Sequence, residues 1–162
     1  MLLYLIRHAE AVELGTSGAL RDFDRALTPH GHEQARALGE AFARLKLPLD
    51  VVAASPLVRA HQTAVDLLAV LQPDTRPVTC DQLAPERLRP GKLSDFLAGV
   101  PGDHVAAVGH MPELATYLEW LLGAADGSVP LEKAAVACVA FKGDPEKAAG
   151  KLKWVVTPNW FM

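Results

Sequence analysis

Three short, mostly apolar segments, each followed by a segment with helical signals, constrain the fold more than any other feature of this chain. They occupy residues 2–6, 51–54 and 104–108. Each is too short for an ordinary helix and shows no polar alternation, which is typical of a strand buried on both faces. Parallel strands need long crossover connections, usually helices, so this alternation predicts an α/β fold with a largely parallel sheet.

The helical segments begin at capping signals. Thr28-Pro29 predicts an N-cap followed by proline in the first turn, and Ser55-Pro56 repeats the pattern before a helix that runs to about residue 71. The first of these helices carries an apolar stripe at helical spacing, formed by Ala35, Leu38, Phe42 and Leu45. Both helices therefore have an apolar face that can cover a sheet.

The rest of the chain continues the same alternation. A short helix is predicted near residues 93–97, and the turn at 109–112 leads into another helix. Further strands are predicted at 78–83, 136–141 and 152–156. We therefore expect a single domain over residues 1–162, built as a three-layer sandwich in which helices flank a mostly parallel sheet.

Composition excludes several classes of protein. The net charge of -3 and the pI of about 6.0 do not suit a nucleic-acid-binding domain, which usually carries a basic patch. Cys80 and Cys138 are isolated, so neither a disulfide framework nor a zinc site is indicated. No apolar run approaches the length of a membrane span, and residues 2–6 are too short for a signal-peptide core. We expect a cytoplasmic protein without membrane or nucleic-acid partners; no sequence feature indicates an oligomeric state.

Arginine and histidine side chains follow the three apolar segments. Arg7 and His8 come directly after the first, Arg59 lies one turn into the helix after the second, and His110 follows the third. In open α/β sheets, ligands bind outside the carboxyl ends of the strands, so these four side chains should converge. Arginine binds two oxygens of an anion at once, and nearby helix N-termini add N–H donors. This edge of the sheet is therefore predicted to bind a phosphoryl group.

These residues belong to separated motifs that together resemble the histidine phosphatase superfamily, which has the phosphoglycerate-mutase-like fold. The motifs are Arg7-His8-Ala9-Glu10, Leu27-Thr28, Ser55-Pro56-Leu57-Val58-Arg59-Ala60-x-Gln62-Thr63 and Gly109-His110-Met111-Pro112. The resemblance covers about residues 2–122. The short chain and the form of the motifs are most similar to the small bacterial branch, the phosphohistidine phosphatases that act on histidine-containing phosphotransfer domains.

The resemblance implies a role for each matching residue. His8 would be the nucleophile and form a phosphohistidine intermediate, while Arg7, Arg59 and His110 would hold the phosphoryl oxygens. Neighbouring cations should disfavour protonation of His8 and keep a ring nitrogen free to attack. Arg25, in the loop before Leu27-Thr28, is a candidate for a further phosphate contact, with a solvated loop arginine as the alternative.

The general acid is the least defined part of the predicted site. Large members of the superfamily use a carboxylate to protonate the leaving oxygen, and Glu86 is the positional candidate here. A phosphohistidine substrate would reduce the need for such an acid, because its leaving group is an imidazole. Glu10 is expected at the rim of the pocket. Only residues 72–103 could form a cap, so we expect a minimal cap and an open pocket.

No metal or other cofactor is expected. His30 and His32 form an HxH pair, but they lack a clustered third ligand and are interpreted as solvated side chains in the first turn of a helix. The leading hypothesis is a metal-independent phosphatase acting on phosphohistidine in a signalling phosphotransfer protein. One alternative is a phosphatase for small phosphate esters, and another is an inactive phosphate-binding or interaction module.

Overall fold

The computed structural model describes residues 1–125 and 127–162, and across them six strands form one sheet flanked by four α-helices. The strands are β1 (Leu2–Arg7), β2 (Val51–Ala54), β3 (Val78–Thr79), β4 (His104–Gly109), β5 (Val136–Ala140) and β6 (Lys151–Val156). The helices are α1 (Pro29–Arg44), α2 (Val58–Leu71), α3 (Pro90–Gly99) and α4 (Glu113–Leu122). Short 3-10 helices occupy Asp22–Asp24, Asp81–Leu83 and Pro158–Trp160. Within these ranges, every helix is too short or too polar to cross a bilayer.

The strands lie in the order β3-β2-β4-β1-β5-β6. The first four run parallel to one another, whereas β5 is antiparallel to β1 and β6 is antiparallel to β5. The pairing of β1 with β4 runs from Leu2 opposite His104 to Arg7 opposite Gly109. The predicted α/β class with a mostly parallel sheet is confirmed. The three strands that the sequence indicated most strongly, β2, β4 and β1, lie side by side.

Alternate residues of β1 face opposite helical layers. Tyr4 and Ile6 pack into the core under α1 and α2, while Leu3 and Leu5 pack into the core under α3 and α4. All four side chains are fully buried. Burial of each such side chain stabilises the fold by about 1.5–3 kcal/mol. Residues 2–6 lack polar alternation because both faces of this strand are covered.

The third predicted strand is shorter than residues 78–83, and this part of the prediction was wrong. Strand β3 contains only Val78 and Thr79. The N–H of Cys80 adds one further hydrogen bond, to the carbonyl of Ala54 at 2.8 Å. The chain then turns into a 3-10 helix that buries Leu83 in the core under α3 and α4. Burial of this leucine, rather than a continued ladder of hydrogen bonds, decides where the strand ends.

The segment between α2 and β4 contributes to the sandwich and adds little above the carboxyl edge of the sheet. Helix α3 buries Leu93 and Leu97 in the core that it shares with α4. Ser94, on the same helix, hydrogen bonds to the buried Tyr117 hydroxyl with 2.8 Å between the oxygens. The predicted minimal cap is therefore confirmed.

The loop between β1 and α1 is closed at its base. Ala11 and Leu27 form an antiparallel bridge. Thr28 caps α1, as predicted, by accepting a hydrogen bond from the N–H of Gly31 at 3.0 Å. Its own N–H donates to the Glu10 carbonyl oxygen at 3.0 Å. A Cβ atom at Gly31 would overlap that same oxygen, so glycine allows α1 to approach the residues that follow His8.

We predict that Gly31→Ala destabilises the protein by about 1–3 kcal/mol. The added methyl group meets backbone rather than a flexible side chain, so the strain outweighs the better helix propensity of alanine. Urea unfolding, with the free energy extrapolated to water, measures the change.

Gly91→Ala is the matched control for this substitution. Gly91 also follows a proline in the first turn of a helix, but nothing lies within 4 Å of a Cβ atom built there. This variant should be stabilised by about 0.5–1 kcal/mol, because alanine loses less backbone entropy on folding. A Gly31→Ala protein that is stabilised equally would refute the proposed contact with Glu10.

Candidate active site

Side chains from three adjacent strand ends meet at the carboxyl edge of the sheet. His8 follows β1, His110 follows β4, and Arg59 lies in the first turn of α2, directly after β2. The ring centroids of the two histidines are 5.1 Å apart. The Arg59 Nε–H donates to His8 Nε2 at 3.2 Å. All three side chains are buried. The structure therefore places two imidazoles and a guanidinium together, shielded from solvent.

The hydrogen bonds of His8 define which ring nitrogen carries the proton. His8 Nδ1 lies 2.7 Å from the carbonyl oxygen of Ala9, and a carbonyl can only accept, so the proton is on Nδ1. Nε2 accepts from Arg59 and keeps its lone pair. The acceptor for the second ring nitrogen is thus the carbonyl of the next residue, which the sequence alone does not identify.

Helix α2 fixes the backbone of Ala9, the residue whose carbonyl holds His8. The N–H of Ala9 donates to Thr63 Oγ1 at 3.0 Å, and that hydroxyl donates to the carbonyl of Arg59 at 2.7 Å. Thr63 and Ala9 are both fully buried. The threonine of the Gln62-Thr63 motif therefore orients the backbone of the histidine motif. The neighbouring Gln62 acts in the same way, because its Oε1 accepts from the N–H of Leu27 at 2.8 Å.

His110 is bound through one ring nitrogen only. Its Nε2 lies 2.8 Å from Ser55 Oγ, and Ser55 is fully buried in the loop after β2. Among the described residues, its Nδ1 has no hydrogen-bond partner although it is shielded from solvent. A buried polar atom without a partner is costly, so Nδ1 has capacity for a ligand atom.

The protein environment keeps both histidines neutral. Burial is the largest cause that lowers the pKa of His8 to about 4; the hydrogen bond to Ala9 opposes it, and the charges of Arg59, Arg7 and Arg25 add to it. Burial also lowers the pKa of His110 to about 3, with Arg59 and His8 as the next causes. The arginine charges lower the pKa of His8, as the sequence predicts, but burial lowers it more.

Arg59 is a buried cation, and Arg7 is a partly buried one whose Nε is shielded from solvent. Burial lowers the pKa of both guanidiniums. Arg7 Nη1 donates to the carbonyl of Leu131 at 2.8 Å, while its Nε has no partner within residues 1–125 and 127–162. A partly buried guanidinium with an unused donor suits a bound oxyanion, which would supply both the charge and the acceptor.

Asp22 is a component of the site that sequence reasoning missed. It lies in the 3-10 helix of the loop before α1, and its Oδ2 accepts from Arg59 Nη2 at 2.9 Å. Its carbonyl oxygen accepts from Arg59 Nη1 at 2.7 Å, and its Oδ1 accepts from Arg25 Nη1 at 3.0 Å. Burial alone would raise the pKa of Asp22, but the hydrogen bonds and charges of the two arginines outweigh it and lower the pKa.

Arg25 and Glu10 both lie beside the site and are both bound by neighbouring groups. Arg25 Nε donates to the carbonyl of Val12 at 2.7 Å, so this arginine is anchored to the loop as well as to Asp22. Its charge nevertheless contributes to the lowered pKa of His8. Glu10 Oε1 accepts from the Thr28 hydroxyl at 2.7 Å. The carboxylate of Glu10 thus joins the residues after His8 to the start of α1.

Glu86 does not join the cluster through any polar contact. Its side chain is exposed, and within the described parts of the chain it forms no hydrogen bond or ion pair with Arg7, His8, Arg59 or His110. Its backbone N–H donates to Glu113 Oε1 at 3.0 Å, and its φ of 63° lies in the left-handed region. The carboxylate of Asp22, by contrast, is in hydrogen-bond contact with Arg59 of the cluster.

The two histidines in the first turn of α1 have separate partners. His32 Nδ1 lies 2.5 Å from Asp66 Oδ2 on α2, so this side chain bridges two helices, and its interpretation as a solvated side chain was wrong. His30 contacts Gln34, which holds the N–H of Glu10. In the part of the chain that the structure describes, no three His, Cys, Asp or Glu side chains cluster as metal ligands would.

Comparison with known proteins agrees with this geometry. A family model of the histidine phosphatase superfamily (branch 1) matches residues 3–89. An uncharacterized protein of Picosynechococcus is 32% identical over 125 residues, which is 74% of this chain and 72% of that protein.

Several solved structures resemble the whole chain, among them the following two. The protein histidine phosphatase SixA, complexed with tungstate, has a TM-score of 0.80 and 25% identity, and the match covers 100% of both chains. A protein of Nakamurella multipartitia assigned as the phosphohistidine phosphatase SixA has a TM-score of 0.74 and 28% identity, covering 97% of this chain and 95% of the other. The resemblance suggested by the sequence motifs is confirmed, and the chain belongs to the histidine phosphatase superfamily.

Proposed function

We propose that this protein is a phosphatase that removes the phosphoryl group from phosphohistidine in another protein, with His8 as the nucleophile. The observation that carries the proposal is the state of His8. Its Nδ1–H is held by the Ala9 carbonyl, and its Nε2 keeps a lone pair at a point where cationic and N–H donors converge. A neutral imidazole with a fixed tautomer beside buried guanidiniums is suited to attack phosphorus.

The reaction has two transfers. In the first, the hydrogen bond of the Arg59 Nε–H passes from His8 Nε2 to a phosphoryl oxygen, the freed lone pair of Nε2 attacks phosphorus, an N–P bond forms, and the bond from phosphorus to the leaving imidazole breaks. The electron pair of that bond stays with the leaving nitrogen, which takes a proton from water. In the second, water attacks the phosphohistidine at position 8, giving orthophosphate and free His8.

The remaining groups stabilise charge on the phosphoryl oxygens. Arg7 and Arg59 supply guanidinium donors, and His110 supplies its unpartnered ring nitrogen if it carries the proton there. These groups provide positive charge and positioning, the two requirements of phosphoryl transfer, so we propose that no metal ion is needed.

Three observations support a phosphohistidine substrate over a small ester. The exposed Glu86 makes no polar contact with the cluster, and an ester needs acid help for its alkoxide more than phosphohistidine needs it for imidazole. The segment between α2 and β4 packs into the sandwich, which leaves room for a phosphorylated side chain on a protein. The two solved structures described above, which match this chain at 25% and 28% identity, are a protein histidine phosphatase and a protein assigned as a phosphohistidine phosphatase.

We predict that the neutral state of the two histidines makes stability depend on pH. An unfolded histidine binds a proton below about pH 6.5, whereas folded His8 binds one only near pH 4 and His110 near pH 3. The unfolded chain therefore binds more protons between these values. Its free energy of unfolding should fall as the pH falls from 6.5, by up to about 1.4 kcal/mol per pH unit for each histidine. Urea unfolding at several pH values measures the slope.

His8→Asn isolates the contribution of one histidine to that slope. The variant lacks one of the two groups, so its stability should fall less steeply between pH 6.5 and pH 4 than that of the wild type. Identical slopes would show that His8 is not held neutral in the folded protein.

We predict that His8→Ala lowers kcat/KM for an aryl phosphate by on the order of a thousandfold or more, because no other group can form the covalent intermediate. A chelator should leave wild-type turnover unchanged. His104→Asn is the control, since His104 lies at the amino end of β4, contacts Asp50, and is remote from the site. Turnover that survives His8→Ala, or that is lost with chelator, would refute the mechanism.

The substrate requires its own experiment. Time courses should compare a phosphorylated histidine phosphotransfer domain with a panel of sugar and nucleotide monophosphates. We expect the phosphorylated protein to be preferred, and Glu86→Gln to leave its turnover unchanged, because no carboxylic acid is needed for an imidazole leaving group. A preference for one small ester by orders of magnitude, together with loss of ester turnover in Glu86→Gln, would establish the small-ester alternative instead.

A further inference from the structure

In the loop between β1 and α1, the carboxylate of Asp22 contacts the buried Arg59 of the site. The side chain of Asp22 is half exposed, while that of Arg59 is only 5% exposed, and the two form a 2.9 Å ion pair. Asp22 contacts Arg59 twice, through Oδ2 and through its own carbonyl oxygen. Both contacts are to an arginine that the proposed mechanism uses, but the mechanism assigns no role to Asp22 itself.

We propose that Asp22 is a positioning residue that fixes the Arg59 guanidinium beside His8 Nε2, where its N–H groups meet the oxygens of a phosphoryl group that approaches this nitrogen. This inference rests on the proposed function, because it concerns the residue that would prepare the attacking nitrogen. It adds a carboxylate to a site whose motifs contain none with this role.

The geometry of the guanidinium carries the inference. A guanidinium is planar and has five N–H groups. Asp22 binds one N–H on Nη1 and one on Nη2, and these two contacts leave the plane little freedom to rotate. The third nitrogen, Nε, is then directed at His8. Two of the five N–H groups remain for the oxygens of a substrate.

Asp22 is itself held in place. Its Oδ1 accepts from Arg25 Nη1 at 3.0 Å, and Arg25 Nε donates to the Val12 carbonyl at 2.7 Å. A continuous chain of hydrogen bonds therefore runs from the loop backbone through Arg25, Asp22 and Arg59 to His8. A carboxylate bound on both oxygens is a stiffer support than one bound on a single side.

Two other roles for Asp22 predict different results. It could act only as a counter-charge for Arg59, or it could compete with the phosphoryl group for that arginine. Removal of a mere counter-charge makes the site more positive, which lowers the pKa of His8 further. Removal of a competitor tightens orthophosphate binding and raises turnover.

The test uses Asp22→Ala, Asp22→Asn and the control Asp24→Ala in the full chain. Asp24 lies on the same 3-10 helix and carries the same charge, but pairs with the exposed Arg21 at 2.6 Å. The first measurement is the pKa of His8 by NMR of its ring. Arg59, Arg7 and Arg25 lower that pKa and the His110 ring faces it; Arg59 and Arg25 each lose a contact when the Asp22 carboxylate is removed, whereas Arg7 and His110 do not.

With Asp22→Ala, Arg59 loses the Oδ2 contact and keeps only the backbone carbonyl of residue 22, so it is held less firmly against Nε2, and the pKa of His8 should rise from about 4 towards its ordinary value. Asp22→Asn keeps an acceptor oxygen and should stay closer to the wild type, and Asp24→Ala should leave the pKa unchanged. An unchanged or lowered pKa in Asp22→Ala would overturn the proposal. Because Asp22 is half exposed, folding is checked by circular dichroism, and Asp22→Asn serves if the alanine variant unfolds.

The second measurement is turnover of an aryl phosphate with inhibition by orthophosphate. We expect Asp22→Ala to lower kcat by about tenfold or more, with partial rescue in Asp22→Asn and no change in Asp24→Ala. A raised kcat with tighter orthophosphate inhibition would show competition and overturn positioning. If the wild type turns over no phosphorylated compound, the proposed function fails, whereas the NMR result still decides the role of Asp22.

Discussion

An imidazole that must stay uncharged beside buried guanidiniums is the constraint on which the site depends. Protonated His8 would add a third positive charge to Arg7 and Arg59 in a place with little water, and the lowered pKa of His8 expresses that cost. The single hydrogen bond from Nδ1 to the Ala9 carbonyl then determines which nitrogen remains basic. The proposed chemistry uses this nitrogen. The burial and the positive charges that keep His8 neutral therefore also keep its attacking nitrogen unprotonated.

Much of the surrounding structure serves to hold that peptide group and the arginine next to it. Thr63 on α2 fixes the N–H of Ala9, Gln34 on α1 fixes the N–H of Glu10, and Gln62 fixes Leu27. Helices α1 and α2 pack on the same face of the sheet. At the carboxyl edge, their polar side chains hydrogen bond to the loop backbone and hold it in place, as strand pairing holds the backbone inside the sheet. A helical layer that buries apolar surface thus also sets the geometry of the site.

The sequence was sufficient to predict the α/β class, the central strands and the edge of the sheet where Arg7, His8, Arg59 and His110 meet. Short apolar runs identify the strands, and ligands of open α/β sheets bind outside the carboxyl ends of those strands. Both inferences need only local sequence. Asp22 could not be predicted, because it lies in a loop without periodicity and its importance comes from reaching Arg59, 37 residues away. The end of β3 was predicted wrongly because the burial of Leu83 is a tertiary effect that no local pattern records.

The strand order also determines when this site can form. The neighbours of β1 in the sheet are β4 and β5, so Leu2 pairs with His104 on one side and with Ala140 on the other. During synthesis, β1 leaves the ribosome before both neighbours and has neither of them to pair with until more than a hundred further residues have been made. Contacts between segments so far apart in sequence slow folding, because the chain must close a long loop first. The segment that carries His8 therefore keeps its apolar residues uncovered until the second half of the chain is made, and the site cannot form before then.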